Sequence, residues 1–178
     1  PQLSKAQKFA YVDTDYILGQ LPTYKSAQNQ LDELSKKWQE EIDVMYEEVD
    51  KMHKEYQAEK VLLTKDQQLN RENEIIEKER SVKKFQNEKF GYEGELFKKR
   101  EELVKPIQDK VYEAINKVAK ENGFDFIFDR SGGMTILVSN PKYDRSDDVL
   151  SELGVVPSDD KGSDSDLPPD QGSDLPPR

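Results

Sequence analysis

From Thr23 to Phe90 the chain runs for 68 residues without a glycine or a proline. Glu, Lys, Gln and Leu, all strong helix formers, fill this stretch, so it reads as helix. Its apolar positions, Leu31, Leu34, Trp38, Ile42, Met45, Val49, Met52 and Tyr56, then Leu62 and Leu63, advance mostly by threes and fours. Steps of that size trace one face of a helix and mark a coiled-coil seam, with Trp38 as an anchor in it. The eleven-residue step from Leu31 to Ile42 departs from a heptad and predicts local unwinding of the supercoil.

A single helix of this length would reach about 100 Å and leave its apolar stripe uncovered. A reversal solves that within one chain. The segment "VLLTKDQQ" supplies it: Thr64 and Gln67 have the spacing of a capping box, and Asp66 suits a helix's first turn. The expectation is a long antiparallel coiled-coil hairpin, an arm over about residues 24–104 with its tip at 62–66. The returning half is sparsely apolar (Leu69, Ile75, Ile76, Val82, Phe85) and meets "FGYEGE", where Gly91 and Gly94 should loosen or break the helix. Beyond it, Leu96, Leu103, Ile107, Val111, Ile115 and Val118 share a face as far as Gly123, which stands where a helix stop belongs. Pro106 either kinks this helix or begins a new segment.

The period then changes. Strands are expected at 8–13 ("KFAYVD"), 124–129 ("FDFIFD") and 135–139 ("TILVS"), the last two joined through "RSGGM", whose glycine pair suits a tight hairpin. A short helix near Asp147 to Leu153 follows the "NP" turn. The fold class is α+β, mostly α, with a small β body carrying the arm. Three short strands and one amphipathic helix are too little to close a core, and bare sheet edges invite pairing. Phe9, Tyr11, Phe126, Phe128, Ile136 and Val138 are therefore candidates for a body shared between copies, most simply a trimer.

Composition agrees with an elongated or assembled chain. Charged residues make up 36% and apolar residues 34%, with a mean hydropathy of -0.96. Even with its nine glycines added, the apolar share stays below the usual range of about 45 to 50%. A net charge of -10 argues against nucleic-acid binding, which needs a basic face against phosphate. Disulfides, thiolate metal sites and cysteine catalysis are excluded because the sequence contains no cysteine. No apolar run reaches signal or membrane-spanning length, so an export signal is expected to have been removed ahead of residue 1. Residues 1–7 read as an N-terminal extension. Residues 155–178 hold two related "GSD…LPP" copies and six aspartates, and read as a disordered acidic tail.

"FAYVDTDYIL" sets Asp13 and Asp15 one residue apart after an apolar strand. Phosphatases of the haloacid dehalogenase type use that pattern, with the first Asp as nucleophile and the second as general acid/base. Their chemistry needs a multi-stranded parallel sheet, whereas here about 110 residues of helix separate the first strand from the next. The two aspartates therefore read as a strand end and a helix cap. His53 is the sole histidine, so a triad or multi-histidine metal site within one chain is ruled out. With no Gly-rich phosphate loop either, neither cofactor nor metal nor catalysis is expected.

Charge is uneven along the arm. Residues 25–63 carry ten acidic and six basic side chains. Residues 78–100 carry eight basic (Lys78, Arg80, Lys83, Lys84, Lys89, Lys98, Lys99, Arg100) against four acidic. Such a run is either a solvated face or an attractive surface for acidic clients or anionic lipid headgroups. Lys78, Arg80, Lys83, Lys84, Lys98 and Lys99, with the adaptable side chains of Met45 and Met52, are the candidate client-binding residues.

Strand, short helix, long helical hairpin, further strands and a final helix, in that order, resemble the Skp/OmpH family of periplasmic chaperones over about residues 8–154. "YVDTDYIL" leading to "YKSAQNQLDEL" and, near the other end, "IQDKVYEAINKVAKENGFDFIFD" carry the resemblance. It implies a homotrimer in the periplasm, with strands from three chains forming the body and three arms enclosing a cavity. Unfolded outer-membrane β-barrel proteins would be held there without ATP. Familiar members are basic, whereas this chain is acidic. The competing class is a structural or adaptor coiled coil of the cell envelope. An adaptor needs one exposed apolar patch matched to one partner, while a holdase needs a wet surface of scattered apolar and charged side chains.

Overall fold

The computed structural model describes residues 7–131 and 138–157. Strand β1 (Phe9–Val12) passes through Asp13 into helix α1 (Thr14–Gln20). The Asp13 carboxylate accepts from the Tyr16 N–H at 3.0 Å, satisfying a donor at the start of that helix, so the aspartate is a cap as its position suggested. Helix α2 (Pro22–Glu59) opens on a proline, where the missing N–H costs nothing, and runs for 38 residues. A 3-10 turn over Lys60–Leu62 and the Thr64 cap then start α3 (Lys65–Phe90).

Both halves of the expected capping box form. Thr64 Oγ1 accepts from the Gln67 N–H at 3.3 Å, and Gln67 Oε1 accepts from the Thr64 N–H at 2.9 Å. The reversal itself occupies residues 60–64, slightly ahead of the predicted tip at 62–66. The Gln68 amide braces the earlier end: it donates to the carbonyl of Leu63 and to that of Lys60, which also accepts from the Leu63 N–H.

Helix α3 runs back along α2, with Gln86 reaching Tyr46, Glu79 reaching His53 and Glu72 reaching Tyr56. Leu31, Trp38, Ile42, Val49 and Tyr56 are buried on α2, and only Ile75 and Val82 on α3. From Leu31 onward the buried positions of α2 follow heptad steps broken by the four-residue step from Trp38 to Ile42. Leu34, Met45 and Met52 are half-buried flanks of this seam. Leu62 is 83% exposed and does not extend it, because the chain is already turning there and no facing helix remains.

Helix α4 (Glu95–Asn122) continues through Pro106 without interruption and stops at Gly123, whose φ of 64° is a left-handed conformation that suits glycine. Its first half packs along the base of α2, where Ala27, Leu31 and Val104 form a cluster flanked by Leu96 and Leu103. The arm thus has two parts, α2 with α4 near the body and α2 with α3 toward the tip, divided at the Gly91–Gly94 elbow.

Strand β2 (Phe126–Asp129) pairs with β1 in parallel, placing Phe9 opposite Phe126 and Tyr11 opposite Phe128. Both strands are shorter than predicted. Of the predicted third strand, residues 135–137, including Ile136, lie outside the described residues, and Val138 and Ser139 are not in a strand. The acidic tail from residue 158 onward also lies outside them. After a 3-10 turn at Pro141–Tyr143, α5 (Ser146–Glu152) completes the described fold.

One expectation is corrected: a core does close within a single chain. Val12, Ile17, Leu18, Leu21, Val111, Ala114, Val118, Val149 and Leu150 form one buried cluster. The expectation counted the strands and one amphipathic helix and left the two short helices, α1 and α5, out of the core. Each is only seven residues long, yet Ile17, Leu18, Val149 and Leu150 cover the inner face of α4. Each fully buried side chain of this size contributes about 1.5 to 3 kcal/mol. Among the described residues, no helix is long and apolar enough to cross a membrane.

Candidate functional site

Three features could meet a partner: the basic run of α3 and α4, the uncovered apolar side chains of the arm, and the outer face of the small sheet.

The basic run is largely compensated by the protein's own carboxylates. Lys78 pairs with Glu48 across the arm at 2.5 Å, Arg80 with Glu77 at 2.6 Å, Lys84 with Glu88 at 3.8 Å and Lys99 with Glu102 at 2.8 Å. Lys89 is the most committed of them. Its ammonium lies 5.0 Å from the centre of the Trp38 ring and 2.7 Å from Glu95, so it ties the seam to the elbow. Trp38 meets Phe90 edge-on at 6.1 Å, consistent with its anchoring role. Among the described residues, no ion pair engages Lys83, Lys98 or Arg100. The proposed cations are also not gathered at one place: Lys78, Arg80, Lys83 and Lys84 lie on α3, whereas Lys98 and Lys99 lie on α4 beyond the elbow. Exposed pairs of this kind are worth little in water, so their members exchange partners readily.

Met45 packs against the Ile42, Val49 and Val82 cluster and keeps part of its surface accessible. His53 is an arm-surface residue whose Nε2 lies 2.9 Å from Glu79 Oε1, a helix-to-helix contact rather than a catalytic arrangement. The sequence reading missed the clearest apolar surface. Val61 is 89% and Leu62 83% exposed at the tip, and Leu69 and Ile76 remain uncovered on α3. The signal was present in "VLL" directly ahead of a capping box, since apolar residues at a reversal have nothing to pack on.

The body presents an aromatic face. Phe9, Phe126 and Phe128 project from the sheet on the side away from the core and stack with centroid separations of 5.9 to 6.4 Å. They are 46%, 51% and 37% exposed. Tyr11 differs from the other proposed body residues: it is buried within its own chain, where its carbonyl accepts from the Arg145 N–H at 2.9 Å. Val138 is 90% exposed.

Behind the sheet, polar groups fix the joint between β1, β2 and α5. Asp129 accepts from Thr14 Oγ1 at 2.6 Å and from the Ser131 N–H at 3.0 Å. Burial alone would raise its pKa, but these hydrogen bonds outweigh it and hold the carboxyl below its ordinary value. Ser146 Oγ in turn accepts from the Asp13 N–H at 2.9 Å. Every group in this network has a structural task.

The family model "Outer membrane protein (OmpH-like)" matches residues 8–153. No curated protein sequence matches the chain. Among solved structures, it is similar to a crystal structure from Caulobacter crescentus described as that of a candidate outer membrane chaperone (OmpH-like). That likeness has a TM-score of 0.65 at 14% identity and covers 83% of this chain and 84% of the other, so it concerns the fold.

Proposed function

We propose that this chain, which belongs to the OmpH-like outer membrane protein family, is a holdase that shields unfolded outer-membrane β-barrel proteins from aggregation without ATP. The carrying observation is the incomplete seam of the arm. Helix α3 buries only Ile75 and Val82, leaving Leu69, Ile76, Val61 and Leu62 uncovered among charged side chains. Scattered apolar groups set in a wet, charged surface give many weak contacts, which retain an unfolded chain while leaving it mobile. An adaptor would instead use one large apolar patch matched to one partner.

In this reading residues 8–154 are the chaperone unit, acting in the periplasm as a homotrimer whose arms surround the client. The stacked Phe9, Phe126 and Phe128 support self-association, because a monomer would leave three aromatic rings of a two-stranded sheet in water. Lys83, Lys98 and Arg100 are the cations most available to acidic clients or anionic lipid headgroups. Met45 and Met52 add adaptable edges to the arm surface. Multiple arms raise the effective concentration of each one after the first has engaged.

The test is light scattering from several unrelated denatured β-barrel proteins diluted into a twofold molar excess of trimer, with no nucleotide or metal. Suppressed aggregation of all of them is expected. Failure to slow any would turn the reading to a structural or adaptor coiled coil. Mass measurement with solution scattering checks the assembly separately, and a monomer at every concentration would remove the trimer.

A further inference from the structure

Three polar contacts at seven-residue intervals bridge one side of the outer arm: Tyr46 to Gln86 at 3.4 Å, His53 Nε2 to Glu79 at 2.9 Å and Lys60 to Glu72 at 3.9 Å. Beside them on α3 runs a row with the same spacing, Leu69, Ile76 and Lys83. Each member stands three residues before Glu72, Glu79 or Gln86, so the row shares their side of the helix. Leu69 and Ile76 are exposed, and Lys83 is exposed with no ion pair among the described residues. Where the helices meet, the same side dips into a hollow of about 520 Å³ lined by Tyr46, Val49, Asp50, His53, Glu79 and Lys83. Val49 is its buried apolar floor. Both carboxylates of the hollow have partners, since Glu79 faces His53 and Asp50 pairs with Lys54 of its own helix. The Lys83 ammonium is left to attract an incoming carboxylate.

The other side of the arm is built differently. Glu48, two residues after Tyr46 and so about 200° further round α2, pairs across the helices with Lys78, and Glu59 pairs with Arg71. The apolar side chains there, Met45 and Phe85, lie against the seam and are partly covered. The arm is therefore two-sided, with Leu69 and Ile76 uncovered on the side of the hollow.

We infer that this side of the arm is where an unfolded client docks, as an extended segment that sets apolar side chains on Leu69, Ile76 and the Val49 floor and a carboxylate on Lys83. Charge complementarity selects a segment with an acidic residue near its apolar ones. The spacing selects an extended chain over another helix. A neighbouring helix needs apolar contacts at both the a and d positions of each heptad, whereas this row offers one per heptad and ends on a lysine. An extended chain needs only separate footholds, here about 10 Å apart along α3. The inference rests on the holdase reading and adds which side of the arm meets the client and what the captured segment carries.

The absence of native cysteine makes the test direct, because a photoactivatable benzophenone can be attached at one chosen position of the full chain. Gln86→Cys and Val44→Cys carry it at the same level of the arm: Gln86 touches Tyr46, whereas Val44, two residues from Tyr46, points about 200° away round α2. The probe is a denatured outer-membrane β-barrel protein. Cross-linking to it should be severalfold stronger from Gln86 than from Val44, at peptides that hold Asp or Glu close to apolar residues. Leu69→Ser with Ile76→Ser on the Gln86→Cys chain should cut that yield severalfold with the helix melt unchanged, and Lys83→Glu should remove the bias toward acidic peptides. Val44→Ser should do neither. Equal yields from the two positions, or a yield that survives loss of Leu69 and Ile76, overturn the inference while a parent that still suppresses aggregation keeps the holdase reading. Cross-links that join copies of this chain in place of the client also overturn it, by making this side an interface between copies. A parent that slows aggregation of no client overturns the holdase reading and this inference with it.

Discussion

The Tyr56 hydroxyl donates a hydrogen bond to the Glu72 carboxylate across the two helices of the arm. The Tyr56 ring is buried, with the Lys60 ammonium 5.2 Å from its centre. The hydrogen bond to Glu72, then burial, then the Glu72 charge push the phenol up to about 12. Its value in the folded arm exceeds the ordinary 10.0, so this contribution is fully present below that pH and disappears as pH rises through about 12. Tyrosinate absorbance should show one of the eight tyrosines titrating near 12, and Tyr56→Phe should remove that step. The stability advantage of the parent over Tyr56→Phe, read from helix melting, should shrink over the same interval.

The elbow between α3 and α4 should tolerate change at one position and resist it at the next. Glu93 has a φ of 56°, a left-handed conformation that costs a non-glycine residue about 1 kcal/mol or more. Gly94 has an ordinary φ, but a Cβ there would lie 2.9 to 3.0 Å from the carbonyl oxygens of Gly91, Glu88 and Lys89. Glu93→Gly is expected to be neutral or mildly stabilising, because relief of strain offsets the added freedom of the unfolded chain. Gly94→Ala should cost about 1 to 3 kcal/mol by overpacking. Thermal melts of both variants check the pair, and the reverse order would mean that the elbow has another geometry.

The single-chain core predicts a further contrast. Leu150 is fully buried among residues of α1, α4 and α5, so Leu150→Ala should cost about 2 to 5 kcal/mol. Leu62→Ser at the tip should change stability by less than about 0.5 kcal/mol, since that side chain is 83% exposed. If Leu62→Ser instead weakens client capture, the tip belongs to the binding surface. Denaturant midpoints and aggregation assays on the same two proteins separate these effects.

Asp129 gives the body an acid sensitivity. Hydrogen bonds from Thr14 and Ser131 hold its carboxyl below 3.8, so its contribution is present above the ordinary carboxylate range and is lost as pH falls through the lowered value. Asp129→Asn should cost about 1 kcal/mol near neutral pH, a modest figure because the site is partly solvated. The gap between parent and variant should close in acid. A constant gap across the range would remove the charge from the explanation.

Sequence and structure agree most closely where local chemistry decides the outcome. The capping box at Thr64, the stop at Gly123 and the Asp13 cap each depend on residues within a few positions of the backbone they shape. The seam was legible for the same reason, since periodicity alone marks the buried face of α2. What stayed hidden was set by distant contacts. Nothing near Phe9 specifies a parallel pairing with Phe126, which 116 intervening residues must bring into place. The core contributions of Ile17 and Leu150 are likewise invisible locally, because each belongs to a helix too short to show a period. At the arm surface, residue types correctly indicated a cationic run. Only geometry reveals that Lys78, Arg80, Lys84 and Lys99 already face carboxylates.

That distinction yields the functional prediction. Lys83 and Lys98 are engaged by no ion pair among the described residues, so their field reaches solvent with little cancellation. Lys84 and Lys99 sit beside Glu88 and Glu102, and reversing either would place two carboxylates together on one helix face. Lys83→Glu with Lys98→Glu is therefore expected to slow capture of an acidic unfolded β-barrel several-fold at low salt while leaving the helix melt unchanged. The difference should vanish near 1 M salt, where the screening length falls to about 3 Å. Lys84→Glu with Lys99→Glu should also lower arm stability by about 0.2 to 0.5 kcal/mol per reversed pair, giving a loss of capture accompanied by a shifted melt. Stopped-flow capture at two salt concentrations, with a melt of each variant, decides the matter. If reversing Lys83 and Lys98 leaves capture unchanged at low salt, the basic run is a solvated face, and uncovered apolar side chains such as Leu69 and Ile76 carry the client alone.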